Sequence, residues 1–172
     1  MEKQCDLIMC FWHPAIQFIH ALDDEFYEYL VIADETLSPF SVANAEGGAK
    51  YPLPGSKRKP IPYIGYYDNS FLHPVIQHHL QRQRDIAQLQ TLNENNHSIS
   101  VKAMIKEGFG IGWVPARLMA DTLEYKKVVL AGEKEWNIPL EIRIYRSRLN
   151  QNPNLNAFWD CLKERLRHKK RL

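Results

Sequence analysis

Residues 100–119, SVKAMIKEGFGIGWVPARLM, constrain the fold of this chain more than any other stretch. The apolar spacing before Gly108 is that of an amphipathic helix, and Gly108 stands where a helix ends in the left-handed conformation. Gly110 and Gly112 carry no side chain, so a neighbouring backbone or a ligand can approach the apolar strand GIGWV. Pro115 suits the start of the next helix. A helix, a strand and a helix joined by minimal loops predict an α/β layer with a parallel sheet.

Strands and helices are predicted to alternate along the rest of the chain. The apolar run CDLIMCFW is typical of a buried strand in a parallel sheet. The longest β-rich stretch is interrupted at Ser38-Pro39, so we expect two strands joined by a bend there. The predicted strands lie at 5–12, 27–43, 61–67, 89–92, 110–114, 126–130 and 140–146. The predicted helices lie at 71–83, 116–123 and 152–172, with one more between an N-cap at Ser98 or Ser100 and its end at Gly108.

Composition excludes several classes of protein. Hydrophobic residues make up 45% and charged residues 24%, which is typical of a globular chain, and the net charge of +2 is too small to indicate nucleic-acid binding. Three cysteines favour a reducing compartment without a disulfide framework. No apolar run approaches the roughly 18 residues of a membrane span, and the start of the chain lacks the pattern of a signal peptide. We therefore expect a cytoplasmic protein that does not associate with a membrane.

The common motifs of catalysis and metal binding are missing, including GxSxG, HExxH and a P-loop. Cys5, Cys10 and His13 could be drawn as a metal site. Cys5 and Cys10 are an odd number of residues apart, however, so on one strand they face opposite sides and cannot bind the same ion. We therefore expect buried thiols. The acidic run at residues 23–25 is typical of a solvated turn rather than of an acid/base pair. We therefore expect no enzymatic activity, no metal and no cofactor.

The ordered set of segments resembles the effector-binding domain of LysR-type transcriptional regulators. The stretch MIKEGFGIGWVP resembles the pattern V-x-x-G-x-G-I-x-x-x-P of that family. The NSF after a strand and the FW of the last helix look closest to its hypochlorite-responsive branch. The other segments that carry the resemblance are CDLIMCFWHPAI, PYIGYYDNSFLHPVIQHHL, KVVL, IPLEIRIYR and NPNLNAFWDCL.

The resemblance implies a two-lobed α/β domain of the periplasmic-binding-protein type (type 2), with mixed sheets and flanking helices. One lobe would combine residues 1–32 with 133–172, and the other would be residues 33–132. The family places a helix-turn-helix domain, and the first strand and helix of the effector domain, before CDLI, so this chain resembles an effector domain truncated at its N-terminus. The implied function is non-catalytic effector sensing in a dimer or tetramer that binds DNA only through the helix-turn-helix domain.

Three predicted strand ends carry residues suited to a small ligand, because ligands of open α/β sheets bind beyond the carboxyl ends of strands. Two of these ends run into helices with serine at the expected N-caps, and two helix N-termini favour a small anion, such as a carboxylate, or a polar oxidant. A protonated His13 would add positive charge, and Trp12 and Tyr67 would stack an apolar part of the ligand. The candidate effector-binding residues are Phe11, Trp12, His13, Tyr67, Asn69, Ser70, Ser98 and Ser100.

Three other functions remain open from the residues alone. A solute-binding protein of a transporter shares this fold but needs a signal peptide. An enzyme needs a convergent set of ionisable groups, for which the predicted strand ends offer only His13 and Asp68. A fragment that binds no ligand and acts through protein interaction is the third possibility.

Overall fold

The structure, a computed structural model, describes residues 5–23, 25–124 and 127–169. The chain divides into two compact units: the first combines the residues up to Asp34 with those from Leu140, and the second is Glu35–Pro139. The strands are β1 (Leu7–Trp12), β2 (Tyr27–Val42), β3 (Ile61–Tyr66), β4 (Leu89–Asn95), β5 (Gly112–Pro115), β6 (Val128–Leu130) and β7 (Ile138–Ser147). The helices are α1 (His73–Leu80), α2 (Ser98–Lys106), α3 (Ala116–Glu124) and α4 (Pro153–Lys169), with short 3-10 turns at Gln17–Leu22 and Lys134–Trp136.

The mixed α/β architecture confirms the predicted fold class, and the pairing of the strands corrects two details. β3 and β4 are parallel, but β1 pairs antiparallel with β7, so the prediction of a parallel β1 is wrong. β2 is one continuous strand, so the predicted bend at Ser38-Pro39 is wrong as well. Pro39 lies opposite Trp113 of β5, and β6 pairs with the other edge of β2 only from Phe40 onward, so Pro39 is tolerated just before that pairing begins; its carbonyl accepts a hydrogen bond from Ala131 N–H at 2.9 Å.

The first unit is built on a sheet in the order β1–β7–β2. Helix α4 covers one face, where the Arg146 guanidinium lies 4.8 Å from the centre of the Trp159 ring and Trp159 is fully buried. Ile144, two residues earlier on β7, faces the same side and is also buried. The apolar stripe predicted for the last helix therefore packs on this sheet through Trp159.

A charged network occupies the opposite face of the same sheet. The Arg143 guanidinium lies between the rings of Trp12 (3.6 Å) and Tyr29 (4.0 Å), and its Nη1 is 3.2 Å from Asp23 Oδ1. The Tyr145 hydroxyl donates to the same Asp23 oxygen at 3.1 Å, and burial raises the pKa of Tyr145 to about 12, so that hydroxyl stays a neutral donor. Asp23 is thus part of the packing of this unit rather than of a solvated turn, and Asp24 lies outside the described residues.

A second ion-pair network joins β2, β7 and α4 in the first unit. The Glu28 carboxylate accepts from Arg146 at 2.7 Å and lies 3.6 Å from Lys163 Nζ. Burial alone would raise the pKa of Glu28, but the hydrogen bond and charge of Arg146, helped by Lys163, outweigh burial and hold that pKa below its ordinary value. The unfolded chain therefore binds a proton at Glu28 at a higher pH than the folded chain does.

We expect Glu28→Gln to flatten the acid side of the stability profile. The pKa of Glu28 is lower in the folded chain than in the unfolded chain. Glu28 therefore stabilises the fold fully at pH values above its unfolded-state pKa, and this stabilisation is lost as the pH falls through its folded-state pKa. Thermal unfolding between neutral and strongly acidic pH measures this, with exposed Glu164→Gln of α4 as the matched control. Equal pH dependence of Glu28→Gln and the unchanged chain would contradict the assignment.

The second unit contains β3, β4, β5, β6, the second half of β2, and helices α1 to α3. Residue 111, just before β5, continues the parallel arrangement: Ile64 N–H donates to Ile111 O and Ile111 N–H donates to Pro62 O, each at 2.8 Å. The strands bury Trp113 and Ile64 against α2, whose Ile105 is fully buried. Gly108, at φ +75°, ends α2 in the left-handed region as predicted.

Candidate functional site

The carboxyl ends of β3 and β4 lie side by side at one edge of the second unit, because the two strands are parallel and Tyr66 is in register with Asn95. The chain leaves β3 through residues 67–72 into α1, and it leaves β4 through residues 96–97 into α2. Five of the eight predicted site residues lie in these two connections and in the first turn of α2. They are Tyr67, Asn69, Ser70, Ser98 and Ser100.

The first connection is held by Ser70, although Ser70 is not the N-cap that the sequence predicts. Helix α1 begins at His73 with Leu72 at the N-cap. The buried Ser70 hydroxyl oxygen accepts from His73 N–H at 3.2 Å, and Ser70 N–H donates to Tyr67 O at 2.8 Å. Ser70 therefore closes the turn that presents Tyr67, Asp68 and Asn69 at the surface.

His73 is a residue of this site that the sequence interpretation missed. Its Nδ1 lies 2.8 Å from Tyr66 O, and because a carbonyl can only accept, Nδ1 carries a hydrogen. Its Nε2 lies 3.3 Å from Asp68 Oδ1. His73 thus joins the last residue of β3 to the carboxylate of the turn. The sequence could have indicated His73, because it lies three residues after Ser70 and directly before Pro74, where the first turn of a helix is predicted.

The second connection is held by Tyr66. The buried Tyr66 hydroxyl lies 3.0 Å from Trp113 O, to which it donates, and 2.9 Å from Ser98 Oγ, whose hydrogen it can accept. Burial raises the pKa of Tyr66 above that of free tyrosine. The N-cap of α2 is His97 (φ −120°, ψ 128°), so the prediction that Ser98 or Ser100 caps this helix is wrong. Ser98 instead ties the first turn of α2 to β3.

A hollow of about 370 Å³ opens between the two connections. Tyr67 is 47% exposed there, so its ring is available to a ligand. Two carboxylates, two amides and one phenol surround the space, and these groups accept and donate hydrogen bonds. The lining residues are Tyr67, Asp68, Asn69, Glu94 and Asn96.

The other three predicted site residues belong to the first unit. The Trp12 ring stacks on Arg143, and Trp12 Nε1–H donates to Asp23 Oδ2 at 3.1 Å. His13 follows β1, and its Nδ1 accepts from Ala15 N–H at 3.1 Å. Phe11 lies opposite Ile142 of β7. These contacts fix the end of β1 within its own unit.

Two arrangements are not found among the described residues. Across residues 5–23, 25–124 and 127–169, no group of three His, Cys, Asp or Glu side chains is arranged to hold a metal ion. No helix in those ranges is long and apolar enough to cross a membrane. Cys5 and Cys161 are exposed and Cys10 is half-buried, so the expectation of buried thiols at Cys5 and Cys10 is wrong for Cys5.

The fold is that of a type 2 periplasmic-binding-protein-like domain, as found in LysR regulatory domains. Residues 47–167 match the LysR substrate binding domain family. The chain therefore belongs to that family, which confirms the resemblance inferred from its segments. LysR-type regulators bind small-molecule effectors, oligomerise and bind DNA through a helix-turn-helix domain, and their regulatory domains are generally non-catalytic.

Two curated relatives from Escherichia coli match 138 residues, or 80% of this chain. The HTH-type transcriptional regulator YjiE of strain K12 is 24% identical over 44% of its length. The HTH domain-truncated transcriptional regulator QseD of strain O157:H7 is 23% identical over 55% of its length. The chain thus spans about half the length of the curated relatives it matches.

Among solved structures, the apo regulatory domain of HypT from Salmonella typhimurium superposes with a TM-score of 0.80 at 21% identity. The match covers 95% of this chain and 73% of that domain. The bromide ion-bound form of the same domain gives a TM-score of 0.78 at 20% identity, with the same coverage. These similarities establish the fold.

Proposed function

We propose that this chain is the effector-sensing part of a LysR-type transcriptional regulator in the cytoplasm. The observation that carries the proposal is the match of residues 47–167 to the substrate binding domain family, together with a polar hollow at the carboxyl edge of β3 and β4. In this proposal the two units are the two lobes of the sensor, and DNA is contacted through a helix-turn-helix domain that these residues do not supply. Ligand binding would shift a conformational equilibrium instead of starting a reaction.

The proposed effector site in the second unit consists of the two connections and the hollow between them. The N-terminus of α2 offers N–H donors and partial positive charge to an anionic group, whereas in α1 the N–H of the first residue already donates to Ser70 and the second residue, a proline, has no N–H. Asp68 and Glu94 line the hollow, and their carboxylates oppose a bare anion but accept from ligand hydroxyl or ammonium groups. We therefore propose a small ligand that carries both an anionic group and a hydrogen-bond donor, with the Tyr67 ring against its apolar part.

The bromide-bound form of the HypT domain supports a site for a small anion in this fold. A polar oxidant is the second candidate, because the HypT regulator is described as hypochlorite-specific. Phe11, Trp12, His13 and Ser100 stay candidates for effector contact in this proposal. For Trp12, contact with the effector would compete with its stacking on Arg143.

Amide-resolved NMR titration tests the proposed site directly. Sodium bromide, sodium glycolate and glycine are the probes, at constant ionic strength. We expect glycolate or glycine to shift the amide signals of residues 67–73 and 96–101 at millimolar concentration, and bromide to do so more weakly. Ser70→Ala should weaken the response severalfold, because the hydroxyl that closes the turn is lost.

Ser147→Ala is the matched control, because the Ser147 hydroxyl accepts from Leu149 N–H at the same 3.2 Å but lies in the first unit. Both variants are checked by thermal melting, since losing such a local hydrogen bond costs on the order of 1 kcal/mol. The site would be refuted if none of the three probes shifted the amide signals of residues 67–73 and 96–101. It would also be refuted if Ser70→Ala and Ser147→Ala responded equally.

A further inference from the structure

A groove between α2 and α3 is a second concave surface of the second unit, and it shares no lining residue with the polar hollow. Its volume is about 380 Å³, which is within the range of small-molecule sites in proteins. Its lining residues are Ile99, Lys102, Ala103, Met104, Lys106, Glu107, Phe109 and Leu118. The groove is therefore a candidate site separate from the proposed effector site.

Large apolar side chains of the groove are exposed to solvent, although α2 already buries its other side. Val101 and Ile105 of α2 are fully buried in the core of the second unit. Ile99 is nevertheless 67% exposed, and Phe109, just after α2, is 58% exposed. Single exposed apolar residues are common, but two in one concave surface are typical of a surface that binds another molecule.

Two lysines give the groove a positive charge. Lys102 Nζ donates to Leu118 O of α3 at 2.6 Å, so this ammonium group is held at the groove instead of extending into solvent. Lys106 lies one turn further along the same side of α2, and among residues 5–23, 25–124 and 127–169 it forms no ion pair. Glu107 is the one acidic residue of the lining, so the groove favours an anionic group.

We propose that this groove binds a small amphipathic carboxylate, which is a binding function beyond effector sensing at the hollow. The apolar chain of the ligand packs on Ile99 and Phe109 and removes them from water. The ligand carboxylate accepts from the Lys106 ammonium group, and the charge of Lys102 stabilises it further, because residues four apart on a helix are neighbours.

A small ligand fits this groove better than a protein partner for two reasons. The volume of about 380 Å³ is near the lower end of the range for small-molecule sites. A stable protein interface buries about 800 Å² on each partner, which is far more than a groove with two large exposed apolar side chains offers.

Amide-resolved NMR titration of the whole chain tests the proposal with three probes. Sodium octanoate has both the apolar chain and the carboxylate, sodium acetate lacks the chain, and octylammonium chloride has the opposite charge. We expect octanoate to shift the amide signals of residues 102–109 and 117–119 at millimolar concentration. Acetate should bind at least tenfold more weakly because it lacks the apolar contact, and octylammonium because its cation lies beside Lys102 and Lys106.

Two variants locate the site. Ala103→Glu places a carboxylate in the groove at an exposed helical position and should weaken octanoate binding at least tenfold. The matched control is Ala157→Glu, at an exposed alanine of α4 in the first unit, which should bind octanoate like the unchanged chain. Circular dichroism confirms that each variant is folded, and the three probes on the unchanged chain decide the proposal if Ala103→Glu is not.

Four results would overturn the proposal. The first is octanoate that leaves the amide signals of residues 102–109 and 117–119 unchanged, and the second is equal binding of octanoate and octylammonium. The third is equal octanoate binding by Ala103→Glu and Ala157→Glu. The fourth is a set of octanoate shifts confined to residues 67–73 and 96–97, which would place octanoate in the hollow and leave the proposed effector site uncontradicted.

Discussion

Replacing Arg143 by methionine is expected to lower the free energy of unfolding by about 3 kcal/mol, the typical result of breaking a buried ion pair on one side. The Arg143 side chain is 6% exposed, so solvent screens its charge little. Its Nε donates to Glu141 Oε2 at 2.6 Å, and its Nη1 lies 3.2 Å from Asp23 Oδ1. Methionine has a similar length but removes the guanidinium from Asp23 and Glu141.

Loss of aromatic stacking is part of this effect. The guanidinium lies 3.6 Å from the centre of the Trp12 ring and 4.0 Å from that of Tyr29, and a desolvated cation over a ring face stabilises by about 1–2 kcal/mol. Because Trp12 is on β1 and Tyr29 on β2, Arg143 of β7 ties the three strands of the first unit together. The three strands should therefore lose stability together in the variant.

Urea unfolding followed by circular dichroism measures the effect of Arg143→Met. The matched control is Arg165→Met, at an exposed position of α4 in the same unit, for which we expect a change within about 0.5 kcal/mol. If the two variants lost equal stability, Arg143 would not hold the sheet in the way its contacts indicate.

The sequence predicted the existence and type of nearly every element, but not how the strands pair. An apolar run such as β1 has the same pattern in a parallel and an antiparallel sheet. Its partner β7 lies more than 120 residues away in the chain, so the residues around β1 cannot predict this pairing. Pro39 predicted a break for a similar reason, because the strands that pair with β2 around it, β5 and β6, are more than 70 residues away in the chain.

The candidate site was predictable to the extent that it follows from strand ends. Tyr67, Asn69 and Ser70 were identified because β3 ends where its pattern predicts. Glu94 and Asn96 were missed because the predicted strand stops at residue 92, whereas β4 continues to Asn95 through its parallel pairing with β3. The polar residues 93–95 look like a turn in the sequence, and a neighbouring backbone makes them a strand.

The glycines of GFGIGWVP are best explained by a close approach of two backbone segments, and Gly110 is the tightest point. A Cβ added at Gly110 would overlap the carbonyl oxygen of Pro62 and lie 2.8 Å from its carbon. The same Pro62 carbonyl accepts from Ile111 N–H, so it cannot turn away without losing a hydrogen bond. Gly112 is close to both neighbours, because its Cβ would lie 3.1 Å from the Ile64 carbonyl oxygen of β3 and 2.6 Å from Val101 Cγ1 of α2. The short strand thus needs glycine to reach β3, without any ligand.

Gly110→Ala is therefore expected to lower the free energy of unfolding by about 3 kcal/mol, at the upper end of the usual cost of overpacking, because backbone meets backbone. Gly48→Ala is the matched control: its Cβ would make ordinary contact with Asn44 at 3.6 Å, and we expect a change within about 1 kcal/mol. Urea unfolding gives the two values, and hydrogen exchange locates the damage. The Ile64 and Ile111 amides should lose protection first in Gly110→Ala, because their hydrogen bonds join the two segments. Equal stability of the two variants, with both amides still protected, would mean that the segments can separate at no cost and that glycine at position 110 has another cause.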